Sequence, residues 1–355
     1  MSDEKRILVI NPGSTATRLA LYRGRTAEAE EEVSVDKLPG GVADQLPAHV
    51  EAIRRFLERH GDSPLHAVVG RGGLVRPVPS GTLAVNDAML EDARIGYQGE
   101  HVSNLGCLAA NAIAAHYGIP AYVVDPVAVD EFTPHARLTG LPSIKRQALS
   151  HALNLHAAAR KACEQTGVPY EESRWVVAHL GGGFSIVPME GGKILDANNA
   201  NSGGPFSPTR AGTLPTQSLI KLCFSGDYSQ EELKAMTTKK GGLKAHLGTE
   251  DAREVERRIQ EGDQQAKLVF ESMAYQVAKE IGAMAAVLSG KIHGVILTGG
   301  LAHRDSFCKM VTDRIAFLGP VHRFPGAFEM EALAFGALRV LEGEEQAIPY
   351  PGETS

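Results

Sequence analysis

The chain has 355 residues, of which 43% are hydrophobic and 22% are charged, and its formal net charge is −6. This length predicts about two globular domains, each large enough for its own core. The negative charge argues against general nucleic-acid binding, and every apolar run is shorter than the roughly 20 residues of a membrane-spanning helix. We therefore expect neither a nucleic-acid partner nor a membrane partner.

The cysteines and the N-terminus bear on the compartment. The four cysteines are widely separated, and the N-terminus lacks the long apolar segment of a signal peptide. The cysteine spacing indicates neither a disulfide framework nor a zinc site. A cytoplasmic location, where thiols stay reduced, fits best.

The first predicted element is a β-hairpin over residues 6–22, in which two apolar runs flank the polar turn NPGST. Its tip carries Asn11, Ser14 and Thr15, and Arg18 follows on the second strand. Backbone N–H groups, hydroxyls and a guanidinium are suited to binding phosphate. The alternative is an ordinary polar turn.

A second copy of this layout favours the phosphate interpretation. Residues 175–193 again read as strand, glycine-rich turn and strand, with His179 before three consecutive glycines. In addition, AVVGRGGLV at 67–75 resembles GVILTGGLA at 294–302. These matches predict an internal duplication, whose two hairpin tips would hold a polyphosphate from both sides.

Periodicity and breaker residues predict the remaining elements. A Gly-Gly-Leu sequence at 241–243 is interpreted as a spacer, and the tail after Gly343 is expected to fray. We expect Ser103 or Asn104 to cap the helix that starts at Leu105. The predicted helices cover 42–60, 105–117, 142–160, 213–224, 229–237, 264–288 and 329–341, and the further strands 67–70, 120–124 and 295–299.

Several polar residues stand at predicted strand ends or in loops. Arg71 follows a strand and precedes Gly72 and Gly73, where a guanidinium can bind a carboxylate or phosphate. Asp125 ends another strand, and Arg210 is the cation of a long polar loop at 198–212. The alternatives are a surface arginine for Arg71 and a turn cap for Asp125.

Two further residues lie beside predicted helix starts. His101 precedes the helix at 105, where a purely structural histidine is the alternative. Glu329 begins the last helix, where the helix dipole favours a carboxylate. The strand at 295 runs into Gly299 and Gly300, a turn on which a base or ribose could lie.

Taken together, nine motifs in order along nearly the whole chain resemble the acetate kinase (acetokinase) family. That family belongs to the superfamily of duplicated ATPases that includes sugar kinases, actin and heat-shock chaperones. The motifs are NPGSTATR, VVGRGG, GEHVSNLG, VVDPVAVDEF, KRQALSHALNLHAAAR, HLGGGFSIVPMEGGKILD, GGPFSPTRAG, TGGLAHR and EMEALAFGALRVL.

The resemblance implies an α/β fold with duplicated ribonuclease H-like (actin-like ATPase) domains. Mixed sheets flanked by helices would form two lobes, with the active site in the cleft between them. The first lobe would comprise residues 1–140 plus 331–355, and the second 141–330. A homodimer or higher homo-oligomer is also expected.

The resemblance also implies roles for individual residues. Two positions depart from the family pattern: Arg18 replaces a lysine, and Gly182 replaces an asparagine. The implied catalytic residues are Arg71, Asp125, His151 and Arg210, and the substrate would be lined by His101, Gly72 and Gly73. The implied nucleotide and phosphate contacts are Asn11, Ser14, Thr15, Arg18, His179, Gly181, Gly182, Gly183, Gly299 and Gly300, with Asn11 and Glu329 near Mg²⁺.

The implied reaction is reversible in-line phosphoryl transfer between ATP and a short-chain carboxylate, which gives ADP and an acyl phosphate. Such a transfer needs positioning and charge neutralisation more than a base. The small side chains at Gly72 and Gly73 suggest room for butyrate or isobutyrate. The alternatives are acetate or propionate as acceptor, or an ATPase switch like actin or the chaperones.

Overall fold

The computed structural model describes residues 4–61 and 63–352, and it divides into two units. Unit 1 comprises residues 4–61, 63–130, 152–154 and 328–352, and unit 2 comprises residues 131–151 and 155–327. Residues 353–355 of the tail lie outside the described part. None of the described helices is long and apolar enough to cross a membrane.

The strands of the described residues are β1 (Arg6–Pro12), β2 (Ala16–Arg23), β3 (Thr26–Ser34), β4 (Ala67–Arg71), β5 (Thr82–Ala84), β6 (Ala121–Val124), β7 (Arg174–Leu180), β8 (Phe184–Glu190), β9 (Lys193–Ile194), β10 (Gly294–Gly299), β11 (Val321–Pro325) and β12 (Ile348–Pro349).

The α-helices of the same residues are α1 (Leu46–His60), α2 (Asp87–Ile95), α3 (Leu105–Tyr117), α4 (Pro134–Arg137), α5 (Ala152–Thr166), α6 (Thr216–Cys223), α7 (Gln230–Thr238), α8 (Gly242–Leu247), α9 (Ala252–Gln260), α10 (Gln264–Val287), α11 (Asp305–Ile315) and α12 (Glu329–Leu341).

Unit 1 is built on a mixed sheet with the strand order β12-β5-β6-β4-β1-β2-β3. Strand β1 pairs antiparallel with β2 and parallel with β4, which pairs parallel with β6. The sheet is covered on both faces, by α12 on one side and by α1 and α3 on the other. Burial on both faces explains why residues 7–10 of β1 are continuously apolar.

Unit 2 repeats this arrangement with the strand order β11-β10-β7-β8-β9. Strand β7 pairs antiparallel with β8 and parallel with β10, which pairs parallel with β11. The order β3-β2-β1-β4-β6 of unit 1 corresponds to β9-β8-β7-β10-β11 of unit 2. Both predicted hairpins are confirmed, and the common topology matches the predicted duplication.

The long helix α10 supplies much of the core of unit 2. One stripe, which includes Phe270, Met273, Val277 and Ile281, is fully buried against the sheet and α11. This stripe has the helical spacing read from the sequence. Helices α10 and α12 lie within one residue of their predicted limits.

The helix predicted over 142–160 is wrong in its first part, since α5 begins only at Ala152. The preceding segment is held by the side chain of Arg146 instead. Its guanidinium donates to the carbonyl oxygens of Ala136 at 2.8 Å and Ala197 at 2.7 Å, and it pairs with Asp196. These tertiary bonds fix residues 142–151 outside a helix.

The described part of the tail is not frayed as predicted. Strand β12 pairs with β5 at the edge of the sheet, and Tyr350 is 1% exposed. The Tyr350 hydroxyl donates to Asp92 Oδ2 at 2.5 Å and accepts from the backbone N–H of Arg76 at 3.0 Å. The Arg76 guanidinium also pairs with Asp92. A buried polar network therefore anchors the C-terminal segment.

We predict that Tyr350→Phe lowers the free energy of unfolding by about 1–3 kcal/mol, because Asp92 and the Arg76 N–H each lose a buried partner. Urea unfolding followed by circular dichroism measures the change. Tyr117→Phe, at an exposed position, is the matched control and should change stability by less than about 0.5 kcal/mol. Equal stability of both variants would contradict the anchoring role of Tyr350.

Candidate functional site

The polar residues of unit 1 gather at the carboxyl ends of its parallel strands. Asn11 lies near the end of β1, Arg71 ends β4, and Asp125 follows β6. Because β1, β4 and β6 are neighbours in the sheet, these ends lie at one edge. Ligand sites of α/β folds are typically found at this edge.

Glu329, at the start of α12, connects two of these strand ends. The Asn11 side-chain amide donates to Glu329 Oε2 at 2.8 Å, and the Arg71 guanidinium forms an ion pair with Glu329 Oε1. Arg71 and Glu329 are each about a quarter exposed. One carboxylate thus neutralises Arg71 and bonds to the Asn11 amide group.

Asp125 has a strained backbone and a defined partner. Its φ of 39° lies in the left-handed region, which is uncommon for residues other than glycine. The backbone N–H of Gly81 donates to Asp125 Oδ1 at 2.7 Å, and the N–H of Asp125 donates to the Gly81 carbonyl at 3.0 Å. This paired contact fixes the carboxylate at the end of β6.

His101 caps the helical turn that leads into α3. Its Nδ1 accepts the backbone N–H of Ser103 at 3.2 Å, so the neutral ring carries its proton on Nε2. Asn104 occupies the predicted N-cap position of α3, but its side chain does not cap the helix, since its Oδ1 instead accepts the N–H of Leu74. Burial, and secondarily the charge of Arg71, lower the pKa of His101 below its usual value.

The tip of the first hairpin exposes Ser14 and Thr15. Arg18 lies on β2 opposite Asn11 in the sheet register, but its guanidinium pairs with Glu30 of β3. The Arg18 side chain is about half exposed. Arg18 is therefore held apart from the Asn11–Glu329 contact by an acidic neighbour.

In unit 2, two predicted histidines are brought together. The rings of His151 and His179 stack with their centroids 4.2 Å apart. His151 Nδ1 lies 2.8 Å from the hydroxyl of Ser185, which is fully buried and pairs with His179 in the β7–β8 register. Ser185 was missed in the sequence, although it stands in the motif HLGGGFS.

Arg210 lies directly on the glycine tip of the second hairpin. A Cβ on Gly183 would lie 2.3 Å from the Arg210 Cζ atom, so a larger residue at this position would displace the guanidinium. Burial lowers the pKa of Arg210 from its usual value, although a guanidinium stays charged at neutral pH. Among the described residues, Arg210 has no carboxylate partner.

The loop of Arg210 rests on the Gly-Gly-Leu sequence that was interpreted as a spacer. The N–H groups of Gly241 and Leu243 donate to the carbonyl oxygens of Thr209 and Ser207. Gly242 has a φ of 61°, and a Cβ there would lie 1.6 Å from the Ser207 carbonyl oxygen. The two glycines are thus part of the support of Arg210.

The predicted adenosine motif borders a cavity of about 490 Å³. Gly299 ends β10 with a φ of 90°, and a Cβ there would clash with the backbone of Leu180. Gly300 is open to the cavity, as are Gly181 and Gly182 from the second hairpin. A cavity of this volume is typical of small-molecule sites.

Part of the cavity wall was not predicted. It is formed by the start of α9, where Asp251 caps the helix and pairs with Arg253 at 2.7 Å. Hydrogen bonds from Arg253 lower the pKa of Asp251 to about 2. In the sequence, Asp251 precedes an amphipathic helix. This pattern indicates a helix cap but gives no sign of a cavity.

We compared the chain with known proteins. The family model described as Acetokinase family matches residues 146–322. The chain is also 50% identical over 346 residues to the "Probable butyrate kinase 2" of Caldanaerobacter subterraneus subsp. tengcongensis, with 96% of this chain and 98% of that protein covered. The chain belongs to the acetokinase family.

Solved structures share the fold of this acetokinase. Porphyromonas gingivalis acetate kinase matches with a TM-score of 0.78 at 19% identity, covering 95% of this chain and all of that one. A propionate kinase from Francisella tularensis matches with 0.72 at 18% identity, covering 93% and 98%. The predicted α/β fold with duplicated, actin-like ATPase domains is confirmed.

The interpretation of Gly72 and Gly73 as room for an acyl chain is wrong. Both glycines are buried. A Cβ on Gly72 would lie 2.3 Å from Pro126 Cβ, and a Cβ on Gly73 would lie 2.1 Å from Asn104 Oδ1. In this acetokinase the two glycines therefore permit close packing behind Arg71.

We predict that Gly183→Ala displaces the Arg210 guanidinium, because the new methyl group occupies its position. The fold should persist at a cost of about 1–3 kcal/mol, since the obstructing group is the end of a flexible side chain. Labelling with phenylglyoxal, mapped by mass spectrometry, should show faster modification of Arg210.

Gly140→Ala is the control for this experiment, because its Cβ would meet open space. It should leave both stability and Arg210 labelling unchanged. An unchanged labelling rate in Gly183→Ala would show that Arg210 does not lie on the glycine tip.

Proposed function

We propose that this acetokinase transfers a phosphoryl group between ATP and a short-chain carboxylate, with butyrate or isobutyrate as the preferred acceptor. The products are ADP and an acyl phosphate. The identity of 50% over 346 residues to a probable butyrate kinase carries the proposal. Because Gly72 and Gly73 leave no room for an acyl chain, the preference for butyrate or isobutyrate is supported by this probable butyrate kinase alone.

The acceptor needs no general base. A short-chain carboxylic acid is ionised at pH 7, so its oxygen is ready to attack the γ-phosphorus. We assign Arg71 to binding this carboxylate, because Glu329 engages only part of its five N–H donors. His101, kept neutral by its lowered pKa, would donate from Nε2.

The migrating phosphoryl group needs charge stabilisation. We assign this role to Arg210, because its half-buried guanidinium carries a charge without a carboxylate partner among the described residues. The stacked His151 and His179 of the same unit would add donors. Asp125 is proposed to orient the reacting groups from its fixed position.

We place ATP on the two glycine turns of unit 2. The adenosine would occupy the cavity at Gly300, with the phosphates on Gly181–Gly183. Gly299 would shape the turn, whereas Arg18 would have to leave Glu30 to contact phosphate.

Asn11 and Glu329 are proposed to hold Mg²⁺, directly or through water. Their amide and carboxylate oxygens are the ligands that this ion prefers, and the two side chains are already in contact. The described residues contain no group of three or more His, Cys, Asp or Glu placed for a metal. When bound with ATP, Mg²⁺ would neutralise charge on the phosphates.

The choice of acid is tested with a hydroxamate assay across acetate, propionate, butyrate and isobutyrate. We predict the highest kcat/KM for butyrate or isobutyrate, with neighbouring acids active because one methylene discriminates by only about 1–3 kcal/mol. A maximum for acetate would reject the butyrate preference but keep the kinase. ADP formation that is independent of any acid would instead support the ATPase switch.

The role of Arg210 is tested by Arg210→Ala. We predict that turnover falls at least about a hundredfold while ATP binding is retained, since a comparable arginine in other phosphoryl transferases contributes about 10³–10⁵. Arg174→Ala, which removes a partly exposed arginine paired with Glu190, is the matched control. Near wild-type turnover of Arg210→Ala would remove Arg210 from the mechanism.

A further inference from the structure

The hydroxyl of Ser207 lies between the two parts of the unit 2 site. The Ser207 side chain is 1% exposed, and its Oγ donates to the carbonyl oxygen of Gly182 at 2.6 Å. The same Oγ accepts the backbone N–H of Arg210 at 3.3 Å. One buried hydroxyl therefore joins the glycine tip to the residue that lies on it.

The backbone around Ser207 strengthens this connection. Its N–H donates to the Arg210 carbonyl at 3.0 Å, and its own carbonyl accepts the N–H of Leu243 at 3.2 Å. The turn from Ser207 to Arg210 is thus closed at both ends. Because the side chain of Arg210 starts from this turn, a shift of Ser207 moves the guanidinium.

Thr209 provides an internal comparison. Its hydroxyl also donates to the Gly182 carbonyl, at 3.0 Å, but it forms no bond to the backbone of Arg210. The Thr209 hydroxyl therefore stabilises the tip alone, whereas the Ser207 hydroxyl stabilises both the tip and the turn that carries Arg210.

We propose that Ser207 is a positioning residue for phosphoryl transfer. It holds the Arg210 guanidinium in place against the glycine tip at Gly182 and Gly183. This inference rests on the proposed role of Arg210. Ser207 is buried and bonds to the Arg210 backbone, so its effect on the rate passes through Arg210.

The test is a double-mutant cycle on kcat with saturating ATP and butyrate. Ser207→Ala should lower kcat about tenfold, the equivalent of one lost hydrogen bond. In the Arg210→Ala background, the same change should lower kcat less than about threefold, because the group it positions is gone. Thr209→Val should lower kcat less than Ser207→Ala does, because it keeps the bond between the Ser207 hydroxyl and the Arg210 N–H.

Ser207→Cys is the second variant, because it keeps the volume of the side chain but hydrogen-bonds weakly. It should reproduce the loss of Ser207→Ala with an unchanged circular dichroism spectrum, which separates positioning from misfolding. Wild-type kcat in both variants would overturn the proposal.

An equal tenfold loss in the Arg210→Ala background would also overturn it, since Ser207 would then act independently of Arg210. Wild-type turnover of Arg210→Ala alone is a different result. It would reject the proposed role of Arg210, so the two failures are distinguishable.

Discussion

The polar site of unit 1 depends on one shared carboxylate. Glu329 accepts from the Asn11 amide and pairs with the Arg71 guanidinium, and so connects β1, β4 and α12. Its place in the first turn of α12 suits its charge, because the positive end of the helix dipole stabilises an acid there. Without Glu329, Arg71 would keep its charge but lose the acceptor that orients it.

Unit 2 also fixes the position of an arginine, but it does so with glycines that have no side chain rather than with a carboxylate. Gly183 leaves space for the Arg210 guanidinium, and Gly242 leaves space for the carbonyl of Ser207. A larger residue at either position would separate groups that now lie in contact. The charge in unit 2 is therefore placed by close backbone packing, whereas the charge in unit 1 is placed by an ion pair.

Local patterns in the sequence were enough for the elements whose burial repeats regularly. Helix α12 occupies the predicted 329–341, and the buried runs of β1 and β7 were read as strands.

The failed predictions come from contacts between residues distant in sequence. The partners of Arg146 are residues 136 and 197, and Tyr350 bonds to Asp92, so periodicity around 142–151 or 344–350 could not reveal them. Whether a glycine leaves room for a ligand or for a packed neighbour depends on the atoms that its Cβ would meet, and the sequence does not show these atoms. For this reason Gly72 and Gly73 were wrongly interpreted as space for an acyl chain.

The contact between Asn11 and Glu329 spans 318 positions of the chain. The sheet of unit 1 likewise includes β12, close to the C-terminus, whereas all strands of unit 2 lie within residues 174–325. The core of unit 2 is therefore built from residues that precede α12 in the chain. Arg71 receives its acceptor only after every described strand of unit 2 has been synthesised, and contacts of such long range form slowly. Until α12 has been synthesised, a nascent chain of this protein thus carries Arg71 without its acceptor.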